Sequence, residues 1–427
     1  MSGAVPCVVL RSNDVLFTGL LRSLHAASAD VVPVVFDWPG AGPWYSEHSR
    51  HFKNPVTIAN PYQDPRQAVN DMVQLGRTCC DRFGERLMVL PSSDTNLMFM
   101  LDHFTELAPF FRLMGDAKFE GARHDVVDKA SCSNLLTSGS VPQPLTVPFR
   151  CEADLDAVVQ AMRFPCIYKP TTKDYGQSFY RAHQGKKAVQ CDNASALREA
   201  LRSELAQSFE LVVQEHIPFE DAMDEIPFYL YADESFQIRM ASIAIKEHID
   251  PPRYGTATVL RLGWMPELLE YAQAVVTALR WRGILMIEFI RDQRDGKWKV
   301  IEVNGRPWLF VDFFRRAGLP YLQLLMEDLR GQSSSWSALR VPPPDSFTKA
   351  PVHVDLPYAC RMAFGGAPPS PGDLGQWLAN IPGRLSSPYL APDDEGPGRA
   401  QIKDLATRWG LDSNALYAEI QAKLAEY

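Results

Sequence analysis

Between residues 283 and 306 two apolar β-type runs flank a turn rich in Asp and Gly, and the second run alternates with a period of two residues. The runs are Gly283–Ile290 and Lys297–Arg306, and the pattern predicts a β-hairpin. Because side chains alternate along a strand, Glu302, Asn304 and Arg306 share one face of the second strand. The hairpin therefore gathers an acid, an amide and a guanidinium on a single face.

Folding this hairpin about its turn places Glu288 nearly opposite Glu302. Two carboxylates that face each other across paired strands repel and destabilise the pair. A cation between them removes that penalty, and hard oxygen ligands suit Mg²⁺. The alternative interpretation is an exposed hairpin face that carries Glu, Asn and Arg without binding a metal.

The first part of the chain alternates predicted strands and helices, at Val5–Leu10, Val15–Ala27, Val31–Asp37, Gln67–Phe83 and Arg86–Pro91. Such alternation predicts a parallel sheet covered on both faces. We therefore expect a small doubly wound domain at about 1–125, with Ser92–Asp94 following the end of its third strand. No Gly-x-Gly-x-x-Gly motif is present, so independent dinucleotide binding is not indicated.

The composition of the chain mainly excludes certain classes of protein. At 427 residues, with 46% hydrophobic and 22% charged residues, the chain is long enough for two or three globular domains. A net charge of −8 argues against a nucleic-acid partner. No apolar run is long enough to cross a membrane, and the start of the chain does not resemble an export signal. The eight cysteines lack Cys-x-x-Cys spacing, which favours reduced thiols in a cytoplasmic enzyme.

Several further segments carry candidate chemistry. Asp128–Ser138 reads as a helix ended by Gly139, and 163–170 reads as a short strand that ends in Lys169, followed by the polar stretch 171–178. Leu211–Pro218 is a strand-like segment that contains Glu215, and an acidic loop follows it. Beyond about 331 we expect a linker, a loop at Pro392–Gly398 and a helical run at Gln401–Tyr427, with no chemistry assigned.

Four motifs, taken in sequence order, resemble those of ATP-grasp ligases. They are Asp128-Lys129, the strand ending in Lys169, the Glu215 segment and Glu288…Glu302-x-Asn304-x-Arg306. The closest group is that of the carboxylate–amine ligases related to D-aspartate ligase and to the large subunit of carbamoyl-phosphate synthetase. The resemblance implies an α/β and α+β architecture. A Rossmann-like (pre-ATP-grasp) N-terminal domain at 1–125 precedes an ATP-grasp domain at 126–331, which divides into a mobile subdomain at about 145–213 and a metal-bearing subdomain at about 214–331. A C-terminal extension occupies 332–427.

The resemblance also implies a role for each matching residue. For ATP, the residues are Lys129 and Lys169 on the phosphates, Glu215 and the backbone of Ile217 on adenine, and Asp224 on the ribose, with Asp221 and Glu225 as competing acids. For Mg²⁺, which Mn²⁺ can replace, they are Glu288, Glu302 and Asn304. The catalytic residues are Arg306, on the transferring phosphate or acyl phosphate, and Lys246, on a phosphate or carboxylate.

The segment around Lys246 departs from the family pattern. Relatives often carry Arg-Lys-x-Arg before a Pro-rich turn and Gly-Thr-Ala, whereas this chain has Ile245 and His248 at the two Arg positions. It keeps Lys246, the Pro pair and Gly255-Thr256-Ala257. The departure leaves the identity of the substrate open.

In this group the γ-phosphate of ATP usually passes to a carboxylate, and an amine then attacks the acyl phosphate to give an amide, ADP and phosphate. The implied partners are a small-molecule carboxylate and amine and, since dimers are common in the family, a homodimer is one option for assembly. The alternatives are a carboxyphosphate-forming carboxylase or carbamoyl-phosphate-type enzyme, a dikinase-like enzyme for which His216 is badly placed, and an ATP-binding regulator without turnover. The aromatic run Trp308–Phe314 is interpreted as a helix packing stripe, with a substrate-pocket wall as the alternative.

Overall fold

The computed structural model describes residues 4–37, 42–172, 178–179, 181–184, 186–219, 224–250, 256–333, 336, 338–342, 352–357, 370, 373, 376–377, 380 and 385–422. Most of the polar stretch after Lys169, the candidate Asp221, Gly255 with the Pro pair before it, and parts of the expected linker lie outside these residues. No helix within these ranges is long and apolar enough to cross a membrane.

The N-terminal part is a five-stranded parallel sheet with helices on both faces, as the strand–helix alternation predicts. Its strands are β1 (Val5–Arg11), β2 (Ala29–Phe36), β3 (Val56–Ile58), β4 (Leu87–Pro91) and β5 (Phe111–Arg112), and its helices are α1 (Asp14–Ala26), α2 (Pro65–Phe83), α3 (Asp94–Asp102) and α4 (Phe104–Leu107). The order β3-β2-β1-β4-β5 reverses direction between β1 and β4. The crevice at the carboxyl ends of strands at such a point is where ligands bind in open α/β sheets.

The middle of the chain forms a small antiparallel sheet with its own core. After α5 (His124–Val127) and α6 (Lys129–Ser138) come β6 (Thr146–Phe149), α7 (Leu155–Ala161), β7 (Cys166–Pro170), β8 (Val189–Cys191), α8 (Ala194–Leu205) and β9 (Leu211–Glu215). The strand order is β6-β9-β7-β8, and apolar residues of α7 and α8 pack against it. The Asp128 side chain accepts a hydrogen bond from the Ser131 backbone and caps α6.

The largest sheet has seven strands in the order β14-β13-β10-β11-β12-β15-β16. The strands are β10 (Glu225–Ala232), β11 (Ile238–Asp250), β12 (Thr256–Gly263), β13 (Gly283–Arg291), β14 (Trp298–Asn304), β15 (Val352–Val354) and β16 (Leu385–Ser386), and the associated helices are α9 (Glu267–Leu279), α10 (Val311–Arg316) and α11 (Tyr321–Leu329). The hairpin predicted from the sequence is β13–β14, and Glu288 pairs directly with Glu302. Its register shifts between Glu288 and Phe289, at a bulge.

The C-terminal extension is built into this sheet. β15 pairs with β12, and α12 (Glu395–Trp409) and α13 (Ser413–Gln421) pack on the strands. The expected single helical run from Gln401 was wrong in two respects. The helix begins within the predicted loop, because Pro397 falls in its first turn, where proline is tolerated. It then ends at Gly410, whose φ of 67° is left-handed, and Asp412 caps the next helix.

Candidate functional site

A cavity of about 530 Å³ lies where the three sheets meet. The predicted residues that line it are Lys129, Lys169, Glu215, Ile217, Lys246, Glu288, Glu302, Asn304 and Arg306. Asp224 is not among the lining residues. Motifs spread over almost 180 positions of sequence are therefore brought to one place by the fold.

The acidic part of the cavity lies on β13 and β14, beside the lysine of β11. The Lys246 Nζ is 2.6 Å from the Glu225 Oε1 and 3.5 Å from the Glu288 Oε1. Burial lowers the pKa of Lys246, but the carboxylates of Glu288 and Glu225 outweigh it, and the pKa is raised overall. The ammonium group therefore stays charged and partly neutralises the acidic strand pair.

Glu288, Glu302 and Asn304 offer the oxygen donors that Mg²⁺ prefers. Glu288 and Glu302 are opposite each other, and Asn304, which pairs with Met286, is buried on the same part of the sheet. Within the described ranges no cluster of three His, Cys, Asp or Glu residues could hold a metal ion. The donor set fits an ion that takes its remaining ligands from nucleotide phosphates, as Mg²⁺ usually does, and not a closed protein cage.

Two lysines reach the junction between the small sheet and the hairpin. The Lys169 Nζ donates to the Gln214 Oε1 at 3.0 Å and to the Ile301 carbonyl at 3.3 Å. The Lys129 Nζ donates to the carbonyls of Pro170 at 2.9 Å and Thr171 at 3.3 Å. Lysine side chains are compact point charges that suit phosphate oxygens. Lys187 also lines the cavity and was not predicted from the sequence.

The expected adenine end is held by ion pairs. The Glu215 Oε1 is 2.8 Å from the Arg294 Nη1, and Arg294 also contacts Asp292. Ile217 is buried in the wall of the cavity. The apolar side chains of Ile167, Ile290 and Ile301 line the cavity as well, and such surfaces suit a flat aromatic base.

Asp224, the acid that the sequence analysis favours as the ribose ligand, does not line the cavity. The Asp224 Oδ2 accepts a hydrogen bond from the Gln293 side chain at 3.1 Å, outside the cavity. Glu225, the first residue of β10, lines the cavity. Of these two acids, Glu225 is therefore the one that the cavity wall contains.

Arg306 is held by Asp94, a contact that is not predicted from the sequence. Its Nε and Nη2 donate to the two carboxylate oxygens of Asp94 at 2.8 and 2.7 Å. Asp94 begins α3, directly after β4, and lies 212 positions earlier in the sequence. Ser92, Ser93 and Asn13 from the same strand ends line the cavity too. The signal that could have identified them is the polar Ser-Ser-Asp at the end of a predicted parallel strand.

The aromatic run after Arg306 is divided between two roles. Trp308, Leu309 and Phe310 line the cavity, and Phe313 and Phe314 of α10 lie in the core without lining it. The packing interpretation therefore applies to the second half of the run and the pocket interpretation to the first half.

Comparisons with known proteins agree with this geometry. No protein-family model matches the chain. The chain is 20% identical to the D-aspartate ligase of Enterococcus faecium over 328 residues, which cover 75% of this chain and 76% of that protein. The structure is similar to that of an L-amino acid ligase from Bacillus licheniformis, with a TM-score of 0.54, 18% identity and coverage of 79% of this chain and 78% of that one.

A second structural relative is the N5-carboxyaminoimidazole synthetase of Staphylococcus aureus in complex with ADP, with a TM-score of 0.55, 15% identity and coverage of 80% of both chains. Identities this low establish the fold and leave the reaction open. The α/β and α+β fold predicted from the sequence is thereby confirmed, and it is the ATP-grasp fold of these structural relatives.

Proposed function

We propose that this protein is an ATP-dependent carboxylate–amine ligase. A carboxylate oxygen of one substrate attacks the γ-phosphorus of ATP, and the bond to the ADP oxygen breaks. The amine of the second substrate then attacks the carbonyl carbon of the acyl phosphate, phosphate leaves, and the amine loses a proton. The observation that carries the proposal is the convergence of Glu288, Glu302, Asn304 and Arg306 on one cavity with the lysines Lys129, Lys169 and Lys246.

The nucleotide occupies the junction between the small sheet and the hairpin in this proposal. Lys129 and Lys169 bind its phosphates, and Glu215 and Ile217 bind its adenine ring. Glu288, Glu302 and Asn304 would hold Mg²⁺, or Mn²⁺ in its place, and the ion would neutralise charge on the phosphate oxygens. The small-sheet subdomain, at about 145–213, moves toward the nucleotide when it binds.

The carboxylate substrate lies between the phosphates and Arg306. The planar guanidinium matches the geometry of phosphate or carboxylate oxygens, and the two-point contact with Asp94 fixes its orientation. Lys246, charged and held between Glu225 and Glu288, places a second cation beside the transferring group. Most of the rate enhancement then comes from positioning and charge neutralisation, as in other phosphoryl transfers.

Two of the relatives, a D-aspartate ligase and an L-amino acid ligase, are named as ligases of amino acids, and they support the amide-forming reaction. The likeness to N5-carboxyaminoimidazole synthetase supports a second candidate, a carboxyphosphate-forming enzyme that uses bicarbonate as its carboxylate. The two reactions share the nucleotide site and differ in the acceptor. Bicarbonate therefore belongs in the panel of carboxylates that tests the proposal.

The test measures ADP release from Mg-ATP with amino acids, small carboxylates and bicarbonate, singly and in pairs. Mass spectrometry identifies the product, and the Glu302→Gln variant is the control. We expect one carboxylate–amine pair to stimulate ADP release, with equal amounts of amide and ADP formed and both lost in Glu302→Gln. ATP binding without stimulated ADP release by any acceptor would instead favour an ATP-binding regulator and contradict the proposal.

A further inference from the structure

The polarity of the side chains that line the cavity changes across the strands of the seven-stranded sheet. Glu302 and Glu288 lie on β14 and β13, at the side that contacts Lys169. Tyr229 on β10, Ala244 on β11 and Leu260 on β12 line the cavity further across the sheet. These three side chains form an apolar end of the cavity, which lies next to the ion pair that Glu225 and Lys246 make on the same strands and contrasts with the acidic side at the hairpin.

Aromatic residues cover this apolar end. Trp308 and Phe310 line the cavity, and they are only 3% and 8% exposed. The Trp308 ring centre is 4.5 Å from that of Tyr229 and 4.9 Å from that of Tyr321. These contacts hold the indole in one orientation, so the apolar end is formed before any ligand arrives.

The indole N–H of Trp308 lacks a hydrogen-bond partner among the described residues, although it is buried. Buried tryptophan N–H groups usually find an acceptor, because burying one without an acceptor is costly. Since Trp308 also lines the cavity, an acceptor atom on a bound molecule can supply the missing partner.

The charged side chains Lys246 and Arg306, which lie near this end, already form ion pairs. Lys246 is paired with Glu225 and Glu288, and Arg306 is paired with Asp94. An acidic side chain placed against Leu260 and Phe310 would therefore compete with existing ion pairs or stay buried without a counter-ion, which is strongly unfavourable. An aliphatic or aromatic group meets no such penalty.

We propose that the apolar end binds the side chain of the carboxylate substrate, and that this substrate carries an apolar aliphatic or aromatic group, as leucine, methionine and phenylalanine do. Trp308 donates its indole N–H to an oxygen of the same molecule. This inference rests on the proposed ligase function and names the class of its carboxylate substrate.

The test compares initial rates of ADP release with apolar amino acids and with aspartate and glutamate, in the presence of a fixed panel of amines. We expect the value of kcat/KM to be at least about 10-fold higher for an apolar amino acid than for either acidic one. The Leu260→Lys variant places a cation in the apolar end, and we expect it to lower this ratio.

Trp308→Phe keeps an aromatic ring and removes the N–H donor. We expect the KM for the carboxylate to rise about 10-fold while the KM for Mg-ATP is unchanged. The matched control is Trp336→Phe, because the Trp336 Nε1 donates to Glu327 outside the cavity. Circular dichroism and thermal unfolding of both variants separate loss of binding from loss of folding.

The outcomes are distinct. If aspartate or glutamate is preferred and ADP release still depends on Glu302, the apolar assignment is wrong and the ligase function stands. If no carboxylate stimulates ADP release by the unmodified protein, the ligase function itself fails. Equal carboxylate KM values for folded Trp308→Phe and Trp336→Phe would overturn the role of the indole N–H.

Discussion

Two groups of charged residues in this protein are built in different ways. At the cavity, the Lys246 and Glu225 side chains are 12% and 20% exposed, and both face open space. At the junction of α1 with the C-terminal extension, the Arg22 and Asp394 side chains are each 1% exposed and face protein on all sides. The first group is accessible to a bound ligand, whereas the second has no room for one.

The hydrogen bonds of Arg22 explain why it tolerates burial. Its Nε donates to the Asp394 carboxylate at 2.8 Å, and its terminal nitrogens donate to the carbonyls of Pro388 and Tyr389. Asp394 also accepts from the Ser49 hydroxyl and the Arg50 backbone. Buried charges that are fully hydrogen-bonded fix one arrangement of the chain. We therefore expect changes in this group to alter stability and changes at the cavity to alter activity.

The largest effect is expected for Asp394→Ala, which removes the nearer counter-ion of the buried Arg22 and leaves only Asp312, 4.0 Å away. The free energy of unfolding should fall by about 3–5 kcal/mol, measured by urea denaturation. Asp393→Ala is the matched control, because the neighbouring Asp393 side chain is 53% exposed and its loss should change stability by at most about 0.5 kcal/mol. Equal losses in the two variants would remove the distinction between buried and exposed acids.

Glu302→Gln tests the cavity side of the comparison. Replacing the carboxylate opposite Glu288 removes one of the proposed metal ligands, so kcat for ADP release should fall roughly 100- to 1000-fold with little change in unfolding free energy. Glu247→Gln serves as control, since Glu247 pairs with Arg261 outside the cavity. Near-normal turnover by folded Glu302→Gln would refute the metal assignment.

The buried His353 tests whether the stability of the region around the C-terminal extension also depends on pH. It is 1% exposed on β15, and burial lowers its pKa to about 3, while Asp312 acts to raise that pKa and Arg316 to lower it. The unfolded chain takes up a proton near pH 6.5 and the folded chain does not. The neutral His353 therefore does not reduce the free energy of unfolding above about pH 6.5. Below that pH the free energy of unfolding falls as the pH falls toward 3, by about 2 kcal/mol between pH 7 and 5.

Replacing His353 with leucine removes this titration. Urea unfolding at pH 7 and pH 5 should then show a smaller difference for His353→Leu than for the unmodified protein. An unchanged difference would assign the pH dependence to other groups.

The smallest effect is expected for Asp94→Asn, which keeps the shape of the side chain and removes its charge. The Asp94 side chain is 18% exposed, so stability should change by less than about 1 kcal/mol. Arg306 loses part of its orientation, and kcat/KM should fall roughly 10-fold in the ADP-release assay. Asp102→Asn, at the exposed end of α3, should leave kcat/KM unchanged.

The sequence predicted the parts of the site that depend on local pattern. Glu288 and Glu302 lie in one hairpin, whose two-residue period and turn specify which side chains meet. Glu215 ends β9 and Lys169 is the last residue but one of β7, as their apolar runs indicate. In each case the information lies within a few residues of the chain.

Contacts across long sequence separations could not be predicted in this way. Asp94 and Arg306 meet only because β4 and β14 end at the same cavity, and neither sequence segment contains a signal for the other. The pairing of β15 with β12 likewise depends on how the whole sheet is assembled. Local periodicity sets the type of element, whereas its neighbours are set by the packing of the complete chain.

The bond between Arg22 and Asp394 also has a consequence for biosynthesis. The two residues are 372 positions apart, so at ribosomal rates of 5–20 residues per second roughly 20 to 70 seconds separate their synthesis. During that interval the Arg22 guanidinium must stay hydrated, and α1 cannot complete its packing. The N-terminal sheet can form early, but we expect it to reach its final stability only after the C-terminal extension has emerged. Nascent chains would therefore present the α1 surface to chaperones for most of translation.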